Sequence, residues 1–199
     1  MVSNNPVHGF FRPQDCFFLK RARRYAILTI HRYRSEPSEA VRFTTTGSVL
    51  LIEVKWIAPG NGYTQAAQVR LAVFVTEQGY PQELEFDELD ESAWHLVLLD
   101  GEVAVAAARL VTLSPGVLKP GRIAVLKEYR KQHLGARLME EILKKAEELG
   151  ARELRIGAQV QARGFYEKCG FSVCGEPIYM DVHIPHIDMI RRLGEENFG

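Results

Sequence analysis

Three short segments of this chain carry side chains that could bind an anion, donate a proton or attract a cation. The turn from Arg130 to Ala136 is basic and precedes an amphipathic segment. An exposed helix N-terminus offers unpaired backbone N–H groups and a partial positive charge, so it attracts phosphate. Tyr166 could donate a proton from its phenol, and the segment from Glu83 to Glu91 carries six carboxylates. Together these residue types are typical of a site that binds a phosphorylated ligand and moves protons.

The basic turn lacks the signatures of two common nucleotide-binding loops. A Walker-type loop requires Gly-Lys-Ser/Thr, a dinucleotide fold requires Gly-x-Gly-x-x-Gly, and this turn has neither. It has instead a basic residue at Arg130, a glycine at Gly135 and then Ala136. This spacing resembles the pyrophosphate loop, Arg/Gln-x-x-Gly-x-Gly/Ala, of the GNAT superfamily of acyl-CoA-dependent N-acetyltransferases. His133 replaces the first glycine of that pattern, and glycine adopts positive φ with much less strain than histidine does.

Two further segments resemble the same family. The run Phe-Tyr-Glu-Lys-Cys-Gly-Phe from Phe165 to Phe171 is similar to its last core motif. Upstream, the chain reads Val-Phe-Val-x-Glu-Gln, then Glu-x-Asp-x-x-Asp, then His95, which resembles a bacterial GNAT subgroup related to ElaA and YjcF. The resemblance covers most of the chain from Arg70 onward.

The resemblance implies a mixed α/β (α+β) fold with a central, mostly antiparallel sheet, one splayed parallel strand pair and helices on both faces. The sequence itself predicts a helix over residues 70–78 and a hairpin from Trp94 to Leu110, with Asp100-Gly101 in a type I′ turn. An amphipathic helix follows the basic turn and ends at Gly150.

The resemblance also implies where acetyl-CoA, the expected co-substrate, would bind. The pantetheine arm would bond the backbone of the first splayed strand at Ile123, Ala124 and Val125, and Gln159 and Phe165 would also contact the cofactor. The pyrophosphate would lie against the turn formed by Arg130, Lys131, Gln132, His133, Leu134, Gly135 and Ala136.

Tyr166 matches the family tyrosine that often protonates the departing thiolate. A tyrosine pKa of about 10 lies slightly above that of a leaving thiol, about 8 to 9, so a phenol is a reasonable acid for this step. The alternative is a core tyrosine whose hydroxyl has an ordinary structural partner.

The acidic segment suggests how an acceptor amine is prepared for attack. An alkylammonium is mostly protonated at neutral pH, and a nearby carboxylate can attract it and accept its proton. Glu85 and Asp87 are the predicted general-base candidates, and the alternative is a solvated acidic loop. Arg109, at the end of an apolar strand, is predicted to form a structural ion pair, because a buried charge demands a partner.

The C-terminal segment contains three possible metal ligands, Asp181, His183 and His186. No cysteine pair lies nearby, and zinc sites use three or four ligands in a defined geometry, so we expect no metal. His186 could line an acceptor cleft or bind a core carbonyl, and both interpretations stay open.

Composition indicates one soluble intracellular domain, and the resemblance implies that it is a cytoplasmic acetyltransferase. The chain has 25 basic and 25 acidic residues among 199, and nucleic-acid-binding domains concentrate basic ones, so we expect no nucleic-acid partner. No apolar run reaches about 18 residues, so we expect no membrane span. The cysteines are odd in number and follow no metal or redox spacing, which is typical of reduced thiols: Cys16, Cys169 and Cys174.

We divide the chain into an N-terminal extension, residues 1–48, and a GNAT domain, residues 49–199. The extension has scattered basic residues and little periodicity. It could be a disordered arm, an added element packed on the core, or sequence upstream of the natural start. A targeting peptide is a fourth interpretation. An arm could mediate contacts in a homodimer.

The predicted activity is direct transfer of acetyl from acetyl-CoA to a primary amine in a ternary complex. The acceptor is a small-molecule or peptide amine that the sequence does not identify. The main alternative is a non-catalytic acyl-CoA-binding or regulatory module, in which His133 marks a degraded loop. A different enzyme class that uses the same helix terminus for phosphate is a more distant alternative.

Overall fold

The computed structural model describes residues 41–45, 48–175 and 177–194, which form one sheet flanked by helices. The rest of the predicted extension, including Cys16, lies outside the described residues. The strands are β1 Val41–Thr45, β2 Ser48–Ile57, β3 Trp94–Asp100, β4 Val103–Ser114, β5 Val117–Val125, β6 Glu153–Gln159, β7 Ser172–Val173, β8 Tyr179–Asp181 and β9 Ile184–Arg192. The α-helices are α1 Thr64–Arg70, α2 Gln82–Glu85, α3 Leu134–Glu148 and α4 Arg163–Lys168.

The sheet is mixed, as the family resemblance implied. Its strand order is β1-β2-β3-β4-β5-β6-β9-β7, and β8 pairs with β9. Within the described residues β5 and β6 are the parallel pair, and the remaining pairs are antiparallel. The strand β1 lies before the predicted domain boundary at residue 49 and pairs with β2.

Helices cover both faces of the sheet, which explains why its central strands are apolar on both sides. On one face, α3 buries Leu138, Met139 and Ile142 in the larger core cluster. On the other face, α1 contributes Ala66 and Val69 to a second cluster with residues of β3 and β4. None of the described helices combines the length and apolar character that crossing a membrane requires.

The predicted hairpin is β3 and β4, but its turn differs from the prediction. Asp100 pairs with Val103, so Gly101 and Glu102 are the two central residues. A type I′ turn needs positive φ at both central positions, whereas here Gly101 has a φ of 61° and Glu102 is not among the positive-φ residues. The type I′ prediction is therefore wrong, and positive φ at the first position alone is typical of type II′.

The helix predicted from Arg70 starts earlier and changes its winding. The α-helix begins at Thr64, and a π-helical segment follows from Leu71 to Glu77. Arg70 belongs to the buried face, and a search for apolar periodicity does not detect a buried arginine. π-Helical turns are rare and frequently occur at functional sites.

Candidate active site

The parallel strands β5 and β6 separate soon after they begin. They pair only at Val117 with Glu153 and at Leu118 with Leu154. Farther along, β5 pairs with β4 as far as Val125, and β6 pairs with β9 as far as Gln159. One edge of each strand thus borders a gap. Backbone groups along that edge have no hydrogen-bond partner in a neighbouring strand, and a ligand could supply one.

A bulge in β5 lies at the edge of this gap. Ala107 pairs with Ala124 and Arg109 pairs with Gly121, so β5 has one residue more than β4 across this stretch. Arg122 lies within it and has a φ of 50°, a conformation that non-glycine residues rarely adopt. Sequence reasoning did not select Arg122, although Pro120 and Gly121 directly before it were an available signal, since proline and glycine within a strand often mark a bulge.

A cavity of about 330 Å³ opens at the gap and brings distant parts of the chain together. Among the predicted site residues, Tyr166, Gln159, Ile123, Glu85 and Asp87 line it. These residues come from four separate segments, so only the tertiary structure assembles them.

The start of α3 has the geometry of an anion site next to this gap. Its first backbone bond runs from Arg137 N–H to the carbonyl of His133 at 3.0 Å. The N–H groups of Leu134, Gly135 and Ala136 therefore precede the helical bonding pattern. His133 precedes the helix with a φ of 60°, the left-handed conformation for which the family uses glycine.

The Arg130 side chain contacts protein groups in this loop. Its Nε donates to the carbonyl of Val125 at 3.0 Å, and its two terminal nitrogens donate to the Glu77 carboxylate at 2.6 Å each. Its hydrogen bonds to Glu77 raise the pKa of Arg130, and the same contact lowers the pKa of Glu77. A phosphate at this loop would have to share Arg130 with Glu77 or displace Glu77.

The other predicted loop residues differ in their backbone conformation and in their contacts. Lys131 has a φ of 63°, so the chain turns sharply there. Gln132 Nε2 donates to the carbonyl of Glu128 at 3.2 Å, while its buried Oε1 has no partner within the described residues. The ring of Phe165 lies 3.5 Å from where a Cβ on Gly135 would stand, so this ring packs on the start of α3.

Tyr166 lies among aromatic rings on α4 and the loop after it. Its ring makes edge contacts with Phe165 and Phe171, with centroids 5.0 and 6.0 Å away. Burial raises the pKa of its phenol well above the ordinary value, and a nearby Cys169 adds to the effect. Among the described residues its hydroxyl has no hydrogen-bond partner. The phenol is therefore protonated at neutral pH.

Glu85 belongs to a buried ion network. Arg70 Nε donates to its Oε1 at 2.6 Å, and Arg122 Nε lies 3.2 Å from its Oε2. Arg70 also binds Asp90 through two nitrogens, at 2.6 and 3.1 Å. Burial raises the pKa of Glu85 despite the opposing charges of Arg122 and Arg70.

Asp87 is bound by arginine as well. Arg109 donates to its two oxygens at 2.6 and 3.1 Å, and Arg109 also lies 2.9 Å from Asp90. Arg109 thus forms the structural ion pair predicted for it. Partial burial acts to raise the pKa of Asp87, but the hydrogen bond and charge of Arg109 lower it overall. These contacts favour a positioning role for Glu85 and Asp87 over that of a free proton acceptor.

The hairpin of β8 and β9 forms another wall of the cavity. Tyr80 donates a hydrogen bond to Asp181 at 2.9 Å, and Tyr179 donates to Asp188 at 3.0 Å. His186 Nδ1 lies 2.9 Å from the carbonyl of Ile184. A carbonyl only accepts, so Nδ1 donates there and the lone pair of the neutral ring is on Nε2. His186 thus both lines the cavity and binds a carbonyl.

The three possible metal ligands, Asp181, His183 and His186, do not come together as a metal site. Within the described part of the chain, no group of three His, Cys, Asp or Glu residues is close enough to hold an ion. His183 Nε2 instead lies 3.1 Å from the carbonyl of Gln78.

The end of the π-helical segment and the residues directly after it contact three parts of the site. Glu77 binds Arg130, Gln78 Oε1 accepts from Gln159 at 3.0 Å, and Tyr80 binds Asp181. Sequence reasoning quoted Glu77 and Gln78 within a motif without giving them a role. Their position directly after that motif's apolar helix was the available signal.

Comparisons with known proteins point to one family. The family described as Acetyltransferase (GNAT) domain matches residues 62–193. The Bacillus subtilis (strain 168) uncharacterized N-acetyltransferase YjcF is 40% identical over 126 residues, which is 63% of this chain and 89% of that protein. A crystal structure of an acyl-CoA N-acyltransferase from Pseudomonas aeruginosa superposes with a TM-score of 0.63 at 30% identity, covering 70% of this chain and 99% of the other. The crystal structure of Escherichia coli ElaA superposes with a TM-score of 0.62 at 26% identity, covering 70% of this chain and 99% of the other.

Proposed function

Because the chain belongs to the GNAT family of acetyltransferases, we propose that it transfers acetyl from acetyl-CoA directly to a primary amine. Membership in the family makes it an acyl-CoA-dependent acyltransferase. The acetyl donor and the primary-amine acceptor are the finer parts of the proposal.

Three groups that this reaction needs meet at the gap between β5 and β6, and this arrangement supports the proposal. The start of α3 offers free backbone N–H groups to a pyrophosphate. The edge of β5 that faces away from β4 offers backbone groups of Ile123 and Ala124 to a pantetheine arm, while the Val125 carbonyl already accepts from Arg130. Tyr166 lines the cavity together with Ile123 of β5.

The proposed reaction needs one acid and one base. The amine nitrogen attacks the thioester carbonyl, the C–N bond forms and the C–S bond breaks. Tyr166 donates its proton to the departing thiolate, and the proton that the attacking nitrogen releases as the amide forms restores the phenol. Burial raises the pKa of the phenol. The same low-polarity surroundings would also raise the pKa of the coenzyme A thiol formed there. The proton transfer is therefore less unfavourable than the raised pKa of the phenol alone implies.

The ammonium must lose a proton before attack, and four cavity side chains could accept it: Glu85, Asp87, Asp181 and His186. Arginine binds Glu85 and Asp87, and Asp181 accepts a hydrogen bond from Tyr80. The Nε2 lone pair of His186 has no partner within the described residues. We therefore assign proton acceptance to His186, and we assign Glu85 and Asp87 to holding the acceptor side of the cavity in shape.

Calorimetric titration with acetyl-CoA, compared with dephospho-coenzyme A and ATP, tests the cofactor. We expect saturable binding of acetyl-CoA that ATP does not match. Affinity for ATP equal to that for acetyl-CoA would contradict the pantetheine site and favour another enzyme class that uses the helix terminus.

Release of free thiol from acetyl-CoA in the presence of an amine panel tests catalysis. We expect turnover that depends on the amine and falls in His186→Gln, with acetyl-CoA affinity retained. Binding of acetyl-CoA without turnover of any amine would favour the non-catalytic acyl-CoA-binding module.

A further inference from the structure

One face of the β8–β9 hairpin forms part of the cavity wall. Tyr179 pairs with His186 and Asp181 pairs with Ile184, so these four side chains share one face of the two strands. All four line the cavity, whereas their neighbours Met180 and Pro185 do not. The alternation shows that the hairpin presents one selected set of side chains to the space where an acceptor would lie.

Asp181 differs from the other carboxylates of the cavity in its partners. Glu85 and Asp87 each contact two arginines. Asp181 is half-buried and accepts a hydrogen bond from Tyr80, and within the described residues it has no Lys, Arg or His ion-pair partner. A partly desolvated carboxylate without a counter-ion is a favourable position for a ligand cation, because attraction between opposite charges strengthens as water is removed.

Tyr80 fixes the direction of the Asp181 carboxylate. Its hydroxyl bonds Oδ1 at 2.9 Å, which leaves Oδ2 for a further donor. Tyr80 follows Gln78, whose carbonyl contacts His183 in the turn of the same hairpin. The Tyr80 hydrogen bond thus holds the carboxylate, and the His183 contact holds the adjacent hairpin turn, before any ligand arrives, which reduces the ordering cost of binding.

We propose that Asp181 binds the ammonium form of the acceptor, and that the acceptor is a primary alkylamine on an uncharged apolar or aromatic body. The body would lie against Tyr179 and Ile184, which line the same wall. Lys119 also lines the cavity, but it is exposed. Solvent and salt screen its charge, so we do not assign a second, anionic group of the acceptor to it. The bound ammonium then passes one proton to His186 Nε2 and attacks as the free amine. This inference rests on the proposed function and specifies its acceptor.

A matched pair of probes tests the proposal without requiring turnover. 2-Phenylethylammonium and 2-phenylethanol have the same body and differ in the charged group. We expect the wild-type protein with saturating coenzyme A to bind the ammonium about tenfold more tightly than the alcohol, which corresponds to about 1.4 kcal/mol. Asp181→Asn should reduce that preference to about twofold or less, and Asp181→Glu should restore part of it.

Glu102→Gln is the control, because Glu102 is exposed in the β3–β4 turn and does not line the cavity. It should leave the preference unchanged. Equal binding of the two probes by the wild type, or an unchanged preference in Asp181→Asn, would overturn the proposal. Titration of the same proteins with acetyl-CoA separates the two proposals. If the wild type does not bind acetyl-CoA, the proposed function is contradicted. The comparison of the two probes alone decides the role of Asp181.

Discussion

Arg130 and Glu77 form a bidentate ion pair between the cofactor loop and the end of the π-helical segment, with both N–O distances at 2.6 Å. The two residues lie 53 positions apart in the chain. Both side chains are partly exposed, so solvent and salt screen the pair. Arg130 was predicted to bind pyrophosphate, and Glu77 is a negative charge at the same place.

Replacing Glu77 by Gln should therefore strengthen acetyl-CoA binding. The change frees Arg130 and removes a charge that repels phosphate, and we expect affinity to rise about three- to tenfold at low salt. Calorimetry at two salt concentrations measures this, and the gain should shrink as salt rises. Weaker binding in Glu77→Gln would mean that Glu77 positions Arg130 for the phosphate.

Tyr166→Phe should slow the chemical step and leave acetyl-CoA affinity almost unchanged. The variant keeps the ring packing on Phe165 and Phe171 but removes the proton donor. General acids typically contribute about a hundredfold or more, so we expect kcat to fall by about that factor. Tyr129→Phe is the matched control, because its hydroxyl bonds Asp100 and does not line the cavity. Unaltered turnover in Tyr166→Phe would reject the acid role.

His133→Gly should tighten acetyl-CoA binding by a few-fold. Glycine relieves the strain of a φ of 60° and lets a ligand approach the backbone. The strain of roughly 1–2 kcal/mol acts on folding stability, where its relief is partly offset because glycine gains freedom in the unfolded chain, so the gain in affinity comes from the closer approach. His133→Ala is the control, since it removes the ring but keeps the strained conformation. Equal affinities for acetyl-CoA in the wild type and both variants would place the cofactor away from this loop.

Arg70→Met should destabilise the domain strongly. Arg70 is fully buried and binds Glu85 and Asp90, so its loss leaves two buried carboxylates short of a partner. Breaking such a buried pair costs about 3–5 kcal/mol of unfolding free energy. Arg155→Met provides the comparison, because Arg155 pairs with Glu153 at an exposed position. Chemical denaturation measures both, and a loss in Arg70→Met no larger than that in Arg155→Met would contradict the prediction.

Acid should destabilise the protein through Asp90. Burial acts to raise its pKa, but the hydrogen bonds and charge of Arg70, together with Arg109, lower it from 3.8 to about 2. A carboxyl with a lowered pKa in the folded state stabilises the fold above pH 4, and that stabilisation disappears as the pH falls from 4 to 2. The shift corresponds to about 2 kcal/mol.

Denaturation of the wild type and Asp90→Asn across this pH range tests the prediction. Asp90→Asn should be less stable at neutral pH and should lose less stability between pH 4 and 2. Glu85 contributes in the opposite direction, because burial raises its pKa. Identical pH dependence in the two proteins would contradict the role of Asp90.

Several elements of the fold, and the segments proposed to bind the cofactor, could be identified from the sequence because those features are local. The β3–β4 hairpin, the helix after the basic turn and the run from Phe165 to Phe171 each fall within a short stretch whose periodicity or spacing is visible in one chain. The hairpin turn type was missed because turn geometry depends on which residues pair, and a shift of one position changes the turn.

The acceptor side of the cavity was decided by tertiary structure. Sequence alone presented Glu85 and Asp87 as free carboxylates, because it could not show that Arg70, Arg109 and Arg122 would reach them from other strands and helices. It presented Asp181 as a possible metal ligand, because it could not show Tyr80 meeting it from 101 positions away. The ionic partner of a side chain is set by the folding of distant segments together, and charge pairing in turn decides which carboxylate is left for a substrate.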